Sequence, residues 1–140
     1  MKPGRVVLTG MAAAVLALTA VTPAHAGTSM NGVCEERESC FFWGPNQTGA
    51  VYDTSYGGEY DFGGARYVSG SGQGQGALVK NNAASVWNRV PSSVYPVLCV
   101  YYDENWKGAS DRIGPGARQN LGSTRNNNAS YQNQLSERAC

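Results

Sequence analysis

The chain has 140 residues, with 11 Lys and Arg, 10 Asp and Glu, and a single His. This near-neutral balance, without a run of basic residues, gives no electrostatic reason to expect nucleic acid or an anionic membrane as the main partner. A chain of this length is expected to form one domain.

The N-terminal residues predict a secretory signal peptide, 1–26. Lys2 and Arg5 precede a mostly apolar run, 6–21, and the tripeptide ending at Ala26 matches an A-x-A cleavage site. A membrane helix is disfavoured because the run is short for a bilayer. Cleavage after Ala26 leaves a secreted, extracellular domain, 27–140.

Cleavage removes the only histidine. The mature chain therefore has no Ser-His or Cys-His nucleophilic site and lacks the commonest imidazole metal ligand. The acidic pairs Glu59 with Asp61 and Asp103 with Glu104 are of the type used in glycoside hydrolysis. Adjacent strand residues point to opposite faces, however, and solvated charges at bends are the favoured interpretation. We expect no enzymatic activity and no catalytic residue.

Two stretches of sequence recur in the same order. Lys80–Asn88 recurs as Arg125–Asn133, and Cys40–Trp43 recurs as Cys99–Tyr102. Self-similarity of this size indicates a supersecondary unit that packs against its own copy. The predicted repeats span about 34–94 and about 95–140.

Short apolar runs bounded by Gly, Pro, Asn and Asp predict β-strands rather than helices. Four strands are predicted in each copy: 40–43, 50–53, 65–68 and 84–89 in the first, and 97–103, 109–112, 118–121 and 129–132 in the second. The expected fold class is all-β, with two small Greek-key sheets packed face to face as a sandwich.

Four cysteines remain in the mature chain, and in a secreted domain of this size they predict disulfides. Pairing Cys34 with Cys40 and Cys99 with Cys140 is preferred, because each repeat then has a bridge at its own first strand. The other two connectivities stay open. A metal site is disfavoured because the chain has no C-x2-C pair and no mature histidine.

Several residues resemble the Greek-key signature of the βγ-crystallins. Tyr101, Trp106 and Gly108 match the pattern Y-x4-aromatic-x-G, and Phe42 with Gly49 resembles a weaker copy. The physical roles follow from the residue types. The glycines close tight turns that need positive φ, and the Trp106 ring can cover the backbone of its own hairpin.

The resemblance extends to a family. Ser85 and Ser130 occupy the position of a serine that ties down the folded hairpin in βγ-crystallins. The leader, Cys34-x5-Cys40 and the segment 81–89, which includes Trp87, are similar to secreted actinobacterial proteins grouped as peptidase inhibitor family I36.

This resemblance implies inhibition of an extracellular peptidase, with a metalloprotease as the expected target. Such an inhibitor binds like a substrate through a rigid exposed segment, because preorganisation lowers the entropy cost of docking. Thermolysin-like enzymes favour a bulky apolar residue after the scissile bond, so Cys99 and Val100 are the predicted inhibitory contact, although they fall in a predicted strand.

Two other functions stay open. One is a monomeric extracellular structural or stress protein without inhibitory activity, and the other is a toxin-like binder of cell surfaces. Tyr56, Tyr60 and Tyr67 are candidates for a surface that contacts a protein or a sugar.

The resemblance also raises calcium binding, because many relatives bind this ion through the motif N/D-N/D-x-x-S/T-S. Lys80 and Arg125 stand at the first position of that motif here, and no carboxylate is present in it. We therefore expect no cofactor and no tight calcium site. The weak candidate ligands are Asn81, Asn82, Ser85, Asn126, Asn127 and Ser130.

Overall fold

The computed structural model describes residues 29–68, 72–135 and 140. The predicted signal peptide lies outside the described residues. Across the described ranges, no helix is long and apolar enough to cross a membrane.

The described chain is built almost wholly from short strands. In chain order these are β1 (Glu38–Phe42), β2 (Val51–Ser55), β3 (Gly58–Glu59), β4 (Ser85–Asn88), β5 (Val97–Asp103), β6 (Lys107–Ile113), β7 (Arg118–Asn120) and β8 (Ser130–Gln134), with one 3-10 turn at Pro45–Gln47 between β1 and β2. The predicted all-β class is confirmed.

The strands form two antiparallel four-stranded sheets, in the orders β2-β1-β4-β7 and β3-β8-β5-β6. Each sheet therefore includes one strand from the other half of the chain. β7 pairs with β4, with Val86 opposite Gln119, and β3 pairs with β8, with Gly58 opposite Gln132. The expected sandwich of two four-stranded sheets is present, and the exchange was not anticipated from the sequence. The exchanged strand satisfies backbone groups along a strand that would otherwise be an edge.

The third strand of the first half was also predicted in the wrong place. It is β3, not 65–68, where the structure has only an isolated bridge between Arg66 and Leu78. Tyr67 in this segment is 1% exposed and packs edge-on against Trp43. The segment therefore contributes a buried ring to the core without forming a regular strand.

The core lies between the inner faces of the sheets and follows the two-residue period of β-strands. Phe41 lies 5.0 Å from both Phe62 and Tyr131, measured between ring centroids. Leu98 and Val100 complete this layer and are fully buried. Phe62 comes from the loop after β3, so the loop contributes to the core as the strands do.

Each sheet also has a small apolar cluster on its outer face, and each cluster contains a disulfide. Cys34–Cys40 lies beside Trp87, and Cys99–Cys140 lies beside Trp106. The preferred disulfide pairing is confirmed.

Two buried serines hold the folded hairpins in the same way. The Ser85 hydroxyl donates to the carbonyl of Gly44 at 2.7 Å and accepts from the amide of Gln47 at 2.9 Å. The Ser130 hydroxyl donates to the carbonyl of Asp103 at 2.6 Å and accepts from the amide of Trp106 at 3.1 Å. Both serines therefore make the hairpin contacts that the resemblance implied.

The glycines that end these hairpins have the predicted backbone conformation. Gly49 and Gly108 have φ of +76° and +78°. A Cβ at Gly49 would lie 2.8 Å from the carbonyl oxygen of Gln73. Both the turn and the close backbone approach therefore require glycine there.

We predict that Ser130→Ala lowers the free energy of unfolding by about 1–3 kcal/mol, because it leaves a partly buried amide without its acceptor. Chemical denaturation followed by fluorescence measures the loss. Ser92→Ala, at an exposed position, is the control and should unfold like the parent. Equal stability of the two variants would contradict the assigned role of Ser130.

Candidate functional site

The segment Met30–Glu35, which we call the clamped segment, combines exposed apolar side chains with a rigidly held backbone. Met30 is 48% exposed and Val33 is 57% exposed. The segment precedes β1 and is joined to it by the Cys34–Cys40 disulfide. Large apolar side chains on a fixed exposed loop are typical of a contact surface.

One buried carboxylate holds the first half of the clamped segment. Asp53, in β2, is fully buried. Its carboxylate accepts from the amide of Asn31 at 2.8 Å and from the amide of Gly32 at 3.0 Å, and its carbonyl accepts from the amide of Met30 at 2.9 Å. Hydrogen bonds to a charged acceptor are stronger than neutral ones, so Asp53 fixes the turn.

A second buried carboxylate and an arginine hold the other half. The Glu38 carboxylate accepts from the amide of Glu35 at 2.7 Å, and Arg89 donates to the carbonyl of Cys34 at 2.8 Å. Burial raises the pKa of Glu38, and the hydrogen bond from the Glu35 amide opposes this shift. Burial therefore disfavours the charged form of Glu38, and the hydrogen bond to the loop offsets part of that cost.

The Asn31 side chain completes the internal bonding of the segment. Its Oδ1 accepts from the amide of Val33 at 2.7 Å, and its Nδ2 donates to Glu35 at 3.0 Å. An Asn that bonds the backbone two residues on is typical of an Asx turn. Val33 is therefore presented from a loop that has little freedom left to lose on binding.

The predicted inhibitory contact at Cys99 and Val100 is contradicted by burial. Both residues are fully buried in β5, between β6 and β8. A peptidase reaches that peptide bond only if the sheet opens. The prediction of Cys99 and Val100 relied on a bulky residue next to a disulfide-bonded cysteine. That pattern occurs on central strands as well as on exposed loops, so it did not identify an exposed residue. The cysteine at the other site, Cys34, precedes its strand instead of lying within it.

The candidate aromatic surface is only partly present. Tyr60 is 59% exposed and Tyr56 is partly exposed, whereas Tyr67 is buried in the core. Tyr60 stacks on Trp106 at 4.1 Å between centroids. Trp106 therefore contacts a residue of the first half of the chain, in addition to its own hairpin.

The acidic residues Glu59 and Asp61 do not share a site, whereas Asp103 and Glu104 line the same cavity together with Lys80. Glu59 accepts a hydrogen bond from the Tyr52 hydroxyl, and burial is the main cause that raises the pKa of Glu59. Asp61 instead pairs with Lys80 at 2.7 Å, and this hydrogen bond is the main cause that lowers the pKa of the Asp61 carboxyl. The two carboxylates of this pair therefore face different partners.

The calcium candidates all take part in hydrogen bonds, and two of them join the two halves of the chain. The backbone N–H of Asn81 donates to the backbone carbonyl of Asn128 at 2.8 Å, and the backbone N–H of Asn126 donates to the backbone carbonyl of Ala83 at 2.9 Å. The Asn82 and Asn127 side chains donate to neighbouring carbonyls, and Ser85 and Ser130 tie the hairpins. Among the described residues, no group of three His, Cys, Asp or Glu side chains could hold a metal ion.

Lys80 places a positive charge between two carboxylates. Its ammonium bridges the carboxylates of Asp61 and Glu104. Hydrogen bonds to Asp61 and then to Glu104 raise the pKa of Lys80. The single positive charge of Lys80 therefore offsets one of the two negative charges of Asp61 and Glu104.

Comparison with known proteins identifies the family. The model of the peptidase inhibitor family I36 matches residues 27–113. The chain belongs to this family, and so to a group of proteins that inhibit peptidases and are not enzymes. Family and disulfides together indicate an extracellular protein. No curated protein matches the chain.

The chain is similar to solved structures, one of them with a TM-score above 0.5. One, described as "Evolution of the eye lens beta-gamma-crystallin domain fold", has a TM-score of 0.53 and 17% identity over 76% of this chain and 91% of that chain. The N-terminal domain of Protein S has a TM-score of 0.47 and 19% identity over 68% of this chain and 92% of that chain. The βγ-crystallin-like fold expected from the Greek-key signature is confirmed.

We predict that calcium leaves the melting temperature of the parent protein unchanged and raises that of Lys80→Ala, in which Asp61 and Glu104 lose their shared counter-charge. Scanning calorimetry with and without calcium measures the shift. The control is Lys107→Ala. Lys107 lines the same surface cavity as Lys80 and Glu104, and this variant should show no calcium-dependent shift in melting temperature. A calcium-dependent shift in the parent would contradict the prediction.

We also predict that Asp53→Asn accelerates amide hydrogen exchange at Asn31 and Gly32, since a neutral amide oxygen replaces a charged acceptor. Hydrogen exchange read by NMR measures these two amides individually. Glu36→Gln, at an exposed position of the same stretch, is the control. Unchanged exchange in Asp53→Asn would show that the carboxylate does not hold the turn.

Proposed function

We propose that the protein inhibits an extracellular metalloprotease by inserting Val33 of the clamped segment into the apolar pocket of the enzyme that receives the residue after the scissile bond. The observation that carries this proposal is that Val33 is 57% exposed on a backbone held by a disulfide and two buried carboxylates. Membership of an inhibitor family supports the inhibitory role.

Preorganisation of the clamped segment explains how a contact centred on one valine side chain inhibits a peptidase. A flexible peptide loses backbone and side-chain freedom when it enters a cleft, at a cost of about 1–2 kcal/mol for each residue that becomes ordered. The clamped segment is already ordered by Asp53, Glu38 and Arg89. Most of the contact energy at Val33 therefore appears as affinity.

The shape of the segment also protects it from cleavage. Met30 and Gly32 have φ of +65° and +85°, so the backbone curls where a good substrate is extended. The Gly32–Val33 bond is held out of the extended geometry in which a peptidase cleft aligns a carbonyl for nucleophilic attack. If it is cut, the disulfide and the hydrogen bond from Arg89 to the Cys34 carbonyl keep the new end in place.

The proposed function also requires that the protein is exported. A leader at 1–26 delivers the chain to a compartment where disulfides persist. The two halves derive from one duplicated motif, at about 34–94 and about 95–140, and the matched contacts of Ser85 and Ser130 support this. The inhibitor acts as a monomer, with one clamped segment for each peptidase.

We predict that Val33→Asp weakens inhibition of a thermolysin-like peptidase by at least about 100-fold, because the pocket would have to bury an unpaired carboxylate. Steady-state inhibition of purified peptidases from the metallo, serine and cysteine classes measures the inhibition constants. The melting temperature should stay within about 2 °C of the parent, because Val33 is a surface residue without a core contact.

The matched control is Leu78→Asp, which places the same charge on another partly exposed aliphatic residue, 38% exposed. It should inhibit like the parent. Equal inhibition by the parent and Val33→Asp would refute the clamped segment as the contact. Absence of stoichiometric inhibition across the whole panel would refute the inhibitory function itself.

A further inference from the structure

Two surface cavities lie at the two serine-tied hairpins, and they differ in charge. The lining of the first includes Lys80, Tyr102, Asp103, Glu104 and Lys107. The lining of the second, which we call the basic cavity, includes Trp43, Gly44, Pro45, Gln73, Arg125 and Asn126. The basic cavity has a volume of about 390 Å³, which is in the range of small-ligand sites. Among the described residues, Arg125 is the one charged residue of its lining.

The recurring stretches of the sequence relate the two cavities. Arg125 begins its stretch as Lys80 begins the other, and Trp43 ends its stretch as Tyr102 ends the other. Each cavity therefore has one cation and one aromatic ring at corresponding places. In each, the cation comes from the half of the chain that does not supply the hairpin.

The two hairpins differ at the positions that carry acidic side chains. The serine ties give the correspondence, because the serine hydroxyl donates to the carbonyl of Gly44 in one hairpin and of Asp103 in the other. The residues that follow, Pro45 and Glu104, correspond in the same way. The basic cavity therefore has a glycine and a proline where the first cavity has two carboxylates.

The Arg125 guanidinium has no counter-charge within the described residues. The two ion pairs found among these residues belong to Lys80, and the Arg125 side chain forms no hydrogen bond with them. Asp111 holds the adjacent loop, but its carboxylate accepts from the backbone of 122–124 and from the Thr124 hydroxyl. Arg125 is exposed, so its N–H donors are available to a ligand.

Trp43 forms a fixed wall of the basic cavity. Its ring packs edge-on against Tyr67 with 5.8 Å between centroids. The backbone of Gly74 approaches so closely that a Cβ there would lie 2.3 Å from the Trp43 ring. Gln73 and Asn126 are exposed in the same lining, and their side-chain amides are neutral donors. The cavity therefore combines one cation with neutral donors and a ring that cannot turn freely.

These groups favour an anion as the ligand. A guanidinium presents parallel N–H donors that match two oxygens of a carboxylate or of a phosphate. Such a ligand would supply the negative charge that Lys80 obtains from carboxylates of its own chain. A metal cation is disfavoured, because the lining has no carboxylate and already carries a positive charge.

We propose that the basic cavity binds an oxyanion, as a carboxylate or a phosphate group, that pairs with the Arg125 guanidinium. The cavity shares no lining residue with the clamped segment, so the proposal does not rest on peptidase inhibition. Loss of inhibition in Val33→Asp therefore leaves anion binding unchanged.

The test is titration of the full protein with benzoate, phenyl phosphate and benzamide at constant ionic strength, followed by NMR of the Arg125 Nε–H and the Trp43 indole N–H. Saturable shifts of both signals with at least one of the two anions are the expected result. The tighter anion identifies the group that the cavity prefers. Benzamide has the shape of benzoate without its charge and should cause no saturable shift. Arg125→Gln should weaken anion binding by at least about tenfold, because the charge-assisted pair is lost.

Pro45→Glu tests the charge argument from the other side. It places a carboxylate at the position that corresponds to Glu104, so Arg125 gains a partner within the chain and anion binding should weaken by at least about tenfold. Arg118→Gln is the matched control, because Arg118 is exposed but lies outside the cavity lining. It should bind the anion like the parent.

The melting temperature of each variant establishes that it is folded, and Arg125→Gln keeps the test open if Pro45→Glu does not fold. Failure to bind either anion, equal binding by the parent and Arg125→Gln, or equal shifts with benzamide would overturn the proposal.

Discussion

The exchange of one short strand between the halves is the constraint on which the rest of the structure depends. β7 closes the first sheet and β3 closes the second, so neither sheet is complete without residues from the other half. A three-stranded sheet without the exchanged strand would bury less apolar surface and leave another strand edge unpaired. The exchange therefore makes the two halves one cooperative unit, and it brings Tyr60 against Trp106 and Glu59 against the Trp106 indole.

A closed sandwich leaves function to the segments outside the sheets. The core uses the inner faces of the strands, and the disulfides lie in clusters on the outer faces. The Cys34–Cys40 bridge also anchors the N-terminal segment, and Asp53 and Glu38 are buried carboxylates whose hydrogen bonds go to the backbone of that segment. Burying two carboxylates near one another is unfavourable for stability. Their use here is understood if the shape of the exposed loop matters to the protein.

Lys80 illustrates how one residue changes the chemistry of a fold without changing the fold. Its backbone lies in the segment that joins the halves through Asn81 and Asn128, while its ammonium bridges Asp61 and Glu104. The Lys80 ammonium is covalently attached to the chain, so its pairing with the two carboxylates takes no ion from solution and costs little entropy. Lys80 therefore lowers the net negative charge of this region from two to one.

The sequence by itself determined the all-β class and most strand positions and favoured the observed disulfide pairing, because these depend on local turn chemistry, two-residue alternation and spacing. The serine ties followed from the resemblance to the βγ-crystallins. The sequence placed the third strand at 65–68 and the contact at Cys99 and Val100, and both were wrong. Strand exchange, the burial of Tyr67 and the exposure of Val33 are decided by which surfaces meet across the sandwich. Those contacts join residues far apart in the chain, such as Gly58 with Gln132 and Asn31 with Asp53, so only the tertiary structure could decide them.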